Sequence, residues 1–184
     1  RYEDIGIAEV WCTPHVMEDI PNTTEELRNR FAELEKAYTG PIQLHLAAEY
    51  MMDELFESRL EQNDLLALGE EGNWLLVETS YFNPPMDLGG ILKRIKSKGF
   101  FPVLAHPERY VYMGRGMYKM LKQECILLQL NLSSLAGAYG VEAQKKARWL
   151  LKKQYYDMVG SDLHSIRNMQ FWDARAPRIL KIGE

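Results

Sequence analysis

"MDLGGILKRIKSKGFFPVLAHPERY", residues 86–110, carries the fold class in one stretch. Its first half reads as a helix closed by Gly99, because glycine takes the left-handed conformation that ends helices without a steric penalty. Its second half is an apolar run that reads as a strand and stops at His106, beside a proline. A helix followed at once by a strand lacking polar alternation is the repeating unit of a parallel sheet covered on both faces.

Working outward, the same alternation runs along the chain. Residues 8–12 read as a strand ending at Thr13-Pro14-His15. Residues 22–38 form an amphipathic helix with Asn22 or Thr23 as N-cap and Glu25 or Glu26 completing a capping box. "IQLHLAAEY" is a strand ending near Glu49, and residues 53–61 are a short helix. "WLLVETS" is a strand ending at Glu78. Beyond residue 110, "GMYKMLKQEC" is helical, "ILLQLNL" is a strand, residues 141–153 are a basic helix, and "YDMVGSDLH" is the last strand. "FWDARAPRILKIG" reads as a closing helix. Six β-like segments separated by helices favour a closed β/α barrel first and an open doubly wound sheet second. Without a linker or repeat, residues 1–184 read as a single domain. Gly6 looks like the end of a helix that five residues are too few to form. The expectation is therefore an N-terminally truncated form of a longer protein.

Composition narrows the function. The chain has 184 residues, a net charge of −4, 46% hydrophobic and 26% charged residues, which is globular and lacks the basic excess of a nucleic-acid binder. Two cysteines, Cys12 and Cys125, give no disulfide framework and point to a reducing cytoplasm. No apolar run is long enough for a membrane span. A cysteine phosphatase needs an arginine six residues after its nucleophile. Glu18 and Asn131 stand at those positions, so that class is excluded.

His15, Glu49, Glu78, His106, Asp162 and His164 each fall at or just past the end of an expected strand. In a parallel β/α barrel that is the face on which active sites are built. Within "MVGSDLHS", Asp162 and His164 are two apart, so on an extended segment both point to one side. The fourth histidine, His45, lies mid-strand and reads as structural. Three imidazoles and three carboxylates suit manganese, iron or zinc. With no thiolate among them, a closed structural zinc site is not expected. The carboxylates favour two or three ions, bridged by a residue such as Glu78. Such clusters acidify water and clamp the attacking and leaving oxygens of a phosphate ester.

"CTPH", "AAEY", "VETS", "LAHPERY" and "GSDLH", in this order and spacing, resemble the bacterial tyrosine-protein phosphatases of the polymerase-and-histidinol-phosphatase (PHP) superfamily, found with capsule and exopolysaccharide genes. The resemblance implies a distorted (β/α)7 TIM-like barrel, here without its first strand. It also implies a manganese-dependent metal cluster and hydrolysis of phosphotyrosine on the tail of a bacterial tyrosine autokinase. By motif, His15, Glu49, Glu78, His106, Asp162 and His164 correspond to metal ligands. Arg109 in "HPERY" corresponds to a phosphate-binding arginine, with Arg167 as a second. The family opens with an His-x-His strand, and nothing before His15 matches it. Histidinol-phosphate phosphatase, from the same superfamily, and a metal-binding docking protein without activity are the competing expectations.

Overall fold

The computed structural model describes residues 2–164. The expected helix at 171–183 and Arg167 lie outside the described residues. The chain divides into two compact units, Arg1–Glu78 with Gly89–Phe101, and Thr79–Leu88 with Pro102–Glu184. In both, parallel strands alternate with helices, so the chain is an α/β protein.

The first unit begins with a single 3-10 turn, Glu3–Ile5, which Gly6 closes at φ 79°. Strands β1 (Glu9–Cys12) and β2 (His15–Val16) follow, then helix α1 (Thr24–Ala37). Strands β3 (Gln43–Leu46) and β4 (Glu49–Met51) lead to helix α2 (Glu54–Gln62) and strand β5 (Trp74–Glu78). Helix α3 (Leu88–Ser97) comes next. β1 pairs with β3, β2 with β4 and β4 with β5, all in parallel.

One expected strand is corrected here, and another is followed by a second short strand, β2, that was not expected. Residues 8–12 and 13–16 share one path, as do residues 43–51, but each path is interrupted, so six expected strands become eight among the described residues. Pro14 has no N–H to donate and breaks the first path. The ladder nevertheless carries on, with Ala47 N–H donating to Cys12 O at 2.9 Å and Glu49 N–H to Pro14 O at 3.0 Å. Glu49 therefore opens β4 instead of ending a strand.

Local chemistry fixes the helices. Thr23 is the N-cap of α1: its hydroxyl accepts from Glu26 N–H, while the Glu26 carboxylate accepts from Thr23 N–H at 2.9 Å. Asp53 caps α2 by accepting from Phe56 N–H at 2.9 Å, and Asn63 ends that helix in the left-handed conformation. Glu57 and Glu61 of α2 pair with Arg94 of α3 and with Lys98 at 3.0 and 2.8 Å. Gly99, at φ 90°, turns the chain out of α3 as expected.

The second unit holds strand β6 (Phe101–Ala105), a 3-10 turn (Pro107–Arg109), α4 (Arg115–Gln123), β7 (Leu127–Asn131), α5 (Leu132–Leu135), α6 (Gly140–Lys152) and β8 (Met158–Gly160). β6 pairs with β7 and β7 with β8, in parallel. The one-turn helix α5 gave no sequence signal, because Leu132 reads as a continuation of the strand. Val103, Leu104 and Ala105 are fully buried, as are Leu75, Leu76 and Val77 in the first unit. Consecutive buried residues mean covered faces on both sides, which explains the missing polar alternation. Each such leucine or valine contributes about 1.5–3 kcal/mol of apolar burial. No helix among the described residues is long and apolar enough to cross a membrane.

Candidate metal centre and phosphate site

Register builds a metal-binding geometry in the first unit. His15 on β2 stands opposite Glu49 on β4, and Glu78 on β5 stands opposite Met51, two residues beyond Glu49. Residues two apart on a strand share a face, and register neighbours on adjacent strands lie about 5 Å apart. All three side chains are thus delivered to one point. His15 Nδ1 lies 3.5 Å from Glu49 Oε2 and 3.7 Å from Glu78 Oε1. One ligand atom from each residue lies within 4.8 Å of the others. Around an ion with bonds of ~2.1 Å, ligand atoms stand up to roughly 4.2 Å apart, so both histidine contacts are in range.

The chemistry of this donor set also fits a cation. Glu49 and Glu78 are 5% and 3% exposed. A divalent ion placed between two buried carboxylates would be attracted by both. Oxygen and imidazole donors without thiolate suit manganese, iron or zinc and do not discriminate among them.

In the second unit the structure gathers Arg109, Asp162 and His164. Arg109 Nη1 donates to Asp162 Oδ2 at 2.6 Å, and both side chains are largely buried. The same oxygen accepts from Asn131 Nδ2 at 2.8 Å and from the Tyr139 hydroxyl at 3.3 Å. The Arg109 guanidinium lies between two aromatic faces, 4.4 Å from the Tyr81 ring centre and 4.0 Å from that of Tyr139. Burial, followed by the negative charge of Asp162, raises the Tyr139 pKa, so its phenol stays protonated and donates. Arginine offers five N–H donors. Only Nη1 is engaged, and the Nε/Nη2 edge of Arg109 has no protein acceptor among the described residues.

His106 is 2% exposed, with its ring 5.7 Å from that of Tyr81 and 5.6 Å from that of Tyr110. His164 is exposed, with Nδ1 3.3 Å from Asp162 Oδ1. The premise of an extended segment at "SDLH" is corrected: β8 ends at Gly160, and Asp162 has φ 47°. The Asp162–His164 contact therefore comes from a turn. Five non-glycine residues among those described have positive φ. Asn63, Cys125 and Gln154 follow helix ends, where that conformation is routine. The other two, His106 and Asp162, follow strands. Left-handed backbone outside a helix cap is strained and concentrates at functional sites.

His45 lies within β3, where it stacks on Trp11 at 4.6 Å with Nε2 3.6 Å from Glu9. Arg109 does not pair with its neighbour Glu108, which is buried and accepts from Asn131 N–H and the Tyr156 hydroxyl. The sequence reading missed Asn131, Tyr81 and Tyr139. Asn131 was within reach, since it ends β7 just as Glu78 ends β5. The tyrosines sit in loops and carried no signal.

Parallel strands that bring an imidazole and two buried carboxylates to one point place the chain in the class of α/β proteins with a candidate metal-binding site. Within that class the chain belongs to the CpsB/CapC family of capsular polysaccharide synthesis, whose pattern it matches over residues 2–183. It is 23% identical over 182 residues to the tyrosine-protein phosphatase YwqE of Bacillus subtilis (strain 168), covering 96% of this chain and 71% of the relative. To CapC of Staphylococcus aureus it is 22% identical over 176 residues, 90% of this chain and 67% of that one. A crystal structure from work on YwqE and on CpsB from Streptococcus pneumoniae, described there as metal-dependent tyrosine phosphatases, aligns with a TM-score of 0.80. That alignment has 23% identity and covers 91% of this chain and 70% of the solved one, which establishes the fold.

Proposed function

We propose that the protein is a metal-dependent protein-tyrosine phosphatase acting on phosphotyrosine in the tail of a bacterial tyrosine autokinase that governs capsule or exopolysaccharide synthesis. The observation that carries this reading is the convergence of His15, Glu49 and Glu78 on one point, in a chain whose named relatives are tyrosine phosphatases. His106, Asp162 and His164 join the ligand set on their motifs, as does the role of Arg167 in binding phosphate. The distorted (β/α)7 barrel, the preference for manganese in two or three sites and a cytoplasmic location belong to the same proposal and rest on the resemblance.

Divalent ions held by these ligands would supply Lewis acidity, acidifying an attacking water and neutralising charge on the phosphoryl group. The protein's own part is to hold the phosphate. The free Nε/Nη2 edge of Arg109 matches two phosphoryl oxygens as a planar fork, while Asp162, Asn131 and Tyr139 fix the opposite edge. A preorganised cation of this kind stabilises the charge spread over the equatorial oxygens in phosphoryl transfer. Tyrosinate is a fair leaving group, since the phenol pKa is ~10, so little general-acid help is required.

Phosphate release from a phosphotyrosine peptide tests the reading, with the protein stripped of metal and then reloaded with manganese. Turnover should appear only after reloading. Hydrolysis of histidinol phosphate in preference to phosphotyrosine would reassign the substrate, and metal uptake without either activity would leave a docking protein.

A further inference from the structure

The arginine of the second unit is unusual in having both faces and one edge committed. Tyr81 and Tyr139 cover the two faces of the Arg109 guanidinium at 4.4 and 4.0 Å, and Asp162 holds Nη1 at 2.6 Å. An unsupported arginine side chain samples many rotamers, and ordering it on ligand binding opposes affinity. Here that ordering is done in advance. Tyr139 is the residue that touches both members of the ion pair: its ring lies on the Arg109 guanidinium and its hydroxyl donates to Asp162 at 3.3 Å. Tyr81 is tied down separately. Its backbone carbonyl accepts from Val111 N–H at 2.8 Å, and its ring stacks on Tyr110 at 6.1 Å.

We propose that Tyr139 is a positioning residue which, with Tyr81 on the opposite face, clamps Arg109 so that its Nε/Nη2 edge is presented ready-formed to a phosphate-class dianion. The clamp is chemically apt because a π face attracts the guanidinium without consuming an N–H donor. An acidic residue in its place would take those donors away from the ligand. Tyr139 also keeps Asp162 directed at Nη1, so the acceptor does not move to the open edge. This inference rests on the reading of Arg109 as a phosphate-binding residue.

The test uses inorganic phosphate as the probe and the full chain with 15N-labelled arginine. Phosphate is titrated while the Nε–H resonance of Arg109, assigned by its loss in Arg109→Ala, is followed, and titration calorimetry gives the phosphate affinity of every variant, Arg109→Ala included. In parallel, kcat and KM are measured on a phosphotyrosine peptide with manganese. Tyr139→Ala should weaken phosphate binding by roughly five- to tenfold, the size of a partly desolvated cation–π contact. KM for the peptide should rise by a similar factor while kcat changes much less. Tyr139→Phe, which keeps the ring, should recover most of the affinity, and Tyr81→Leu should weaken it in the same direction as Tyr139→Ala. In an Arg109→Ala background, Tyr139→Ala should have no further effect on KM. If Arg109→Ala abolishes phosphate binding while Tyr139→Ala leaves it unchanged, the clamp is wrong and the reading of Arg109 survives. If Arg109→Ala itself leaves phosphate affinity intact, the reading of Arg109 falls and the clamp with it. An equal effect of Tyr139→Ala with and without Arg109 marks a purely structural residue and also overturns the proposal.

Discussion

His15 and Glu49 stand opposite each other in the parallel register of β2 and β4, with His15 Nδ1 3.5 Å from Glu49 Oε2. The pairing survives a break in each strand path, because Glu49 N–H still reaches Pro14 O. Backbone hydrogen bonding, and not the side chains themselves, therefore brings an imidazole to a buried carboxylate, and β5 adds Glu78 from the other side. A site assembled by register persists when one side chain is exchanged for a near isostere.

That logic separates metal binding from folding. Glu78→Gln removes the charge while keeping the shape of the side chain, so the metal-free protein should still fold and melt cooperatively. Manganese should raise the wild-type Tm by on the order of 5–10 °C at a hundredfold excess over its Kd, and most of that gain should vanish in the variant. Scanning calorimetry with and without metal reads both quantities. A variant that keeps the full manganese shift would remove Glu78 from the ligand set.

For Arg109 the expected signature is kinetic. Arg109→Lys keeps the charge but loses the planar fork, so it should recover only part of the activity lost in Arg109→Ala. The alanine variant should lose roughly a hundredfold or more in kcat/KM, typical of removing a preorganised cation from a phosphoryl site. Metal content, measured by elemental analysis, should stay near wild type in both. Wild-type turnover by Arg109→Ala would leave Arg167 as the better phosphate ligand.

The α1 cap supplies a stability prediction with a definite pH sign. Hydrogen bonds from Thr23 hold the Glu26 carboxyl below its usual range. A depressed folded pKa contributes stability that is present above the unfolded value, about 4.3, and is lost as pH falls through the folded one. Thr23→Ala should lower Tm by roughly 2–4 °C at pH 7. The difference between variant and wild type should shrink as pH falls from about 4.3 through the lower folded pKa of Glu26. A deficit that does not change between pH 7 and pH 3 would count against the reciprocal cap.

How far these features could be read in advance depends on the length of chain that determines them. The helix closed by Gly99, the Thr23–Glu26 box and the buried strands at 74–78 and 101–105 are each set by a few consecutive residues, so pattern sufficed. The resumption of the strand path at His15 and the interruption at Ala47-Ala48 were missed because the ladder across them depends on the partner strand. The strand pattern placed Glu78 correctly at the end of β5, whereas His15 and Glu49 open their strands, and register brings the three donors within 4.8 Å. The left-handed turn at Asp162 leaves no mark in "GSDLH", since aspartate serves equally in strands' ends and turns. The surroundings of Arg109 come from four separate segments, through Tyr81, Asn131, Tyr139 and Asp162. No local pattern encodes such a meeting.

The remaining prediction distinguishes two chemistries by their nucleophile. A cysteine phosphatase needs a thiolate, and thiolates form where the local environment lowers the thiol pKa. Cys12 lies at the end of β1, and burial pushes its thiol up, away from the reactive form. Cys125 is exposed at the end of α4 with φ 54°, and the arginine of a phosphate-binding loop is missing six residues beyond either cysteine. Cys12→Ser should therefore leave phosphotyrosine turnover within about twofold of wild type, a change of under ~0.5 kcal/mol in the barrier. Treatment with a chelator should abolish turnover, and added manganese should restore it. Alkylation of the protein by iodoacetamide should likewise spare activity. Loss of turnover in Cys12→Ser with metal content and melting temperature intact would mean that the thiol attacks phosphorus, and the metal-dependent reading would have to be given up.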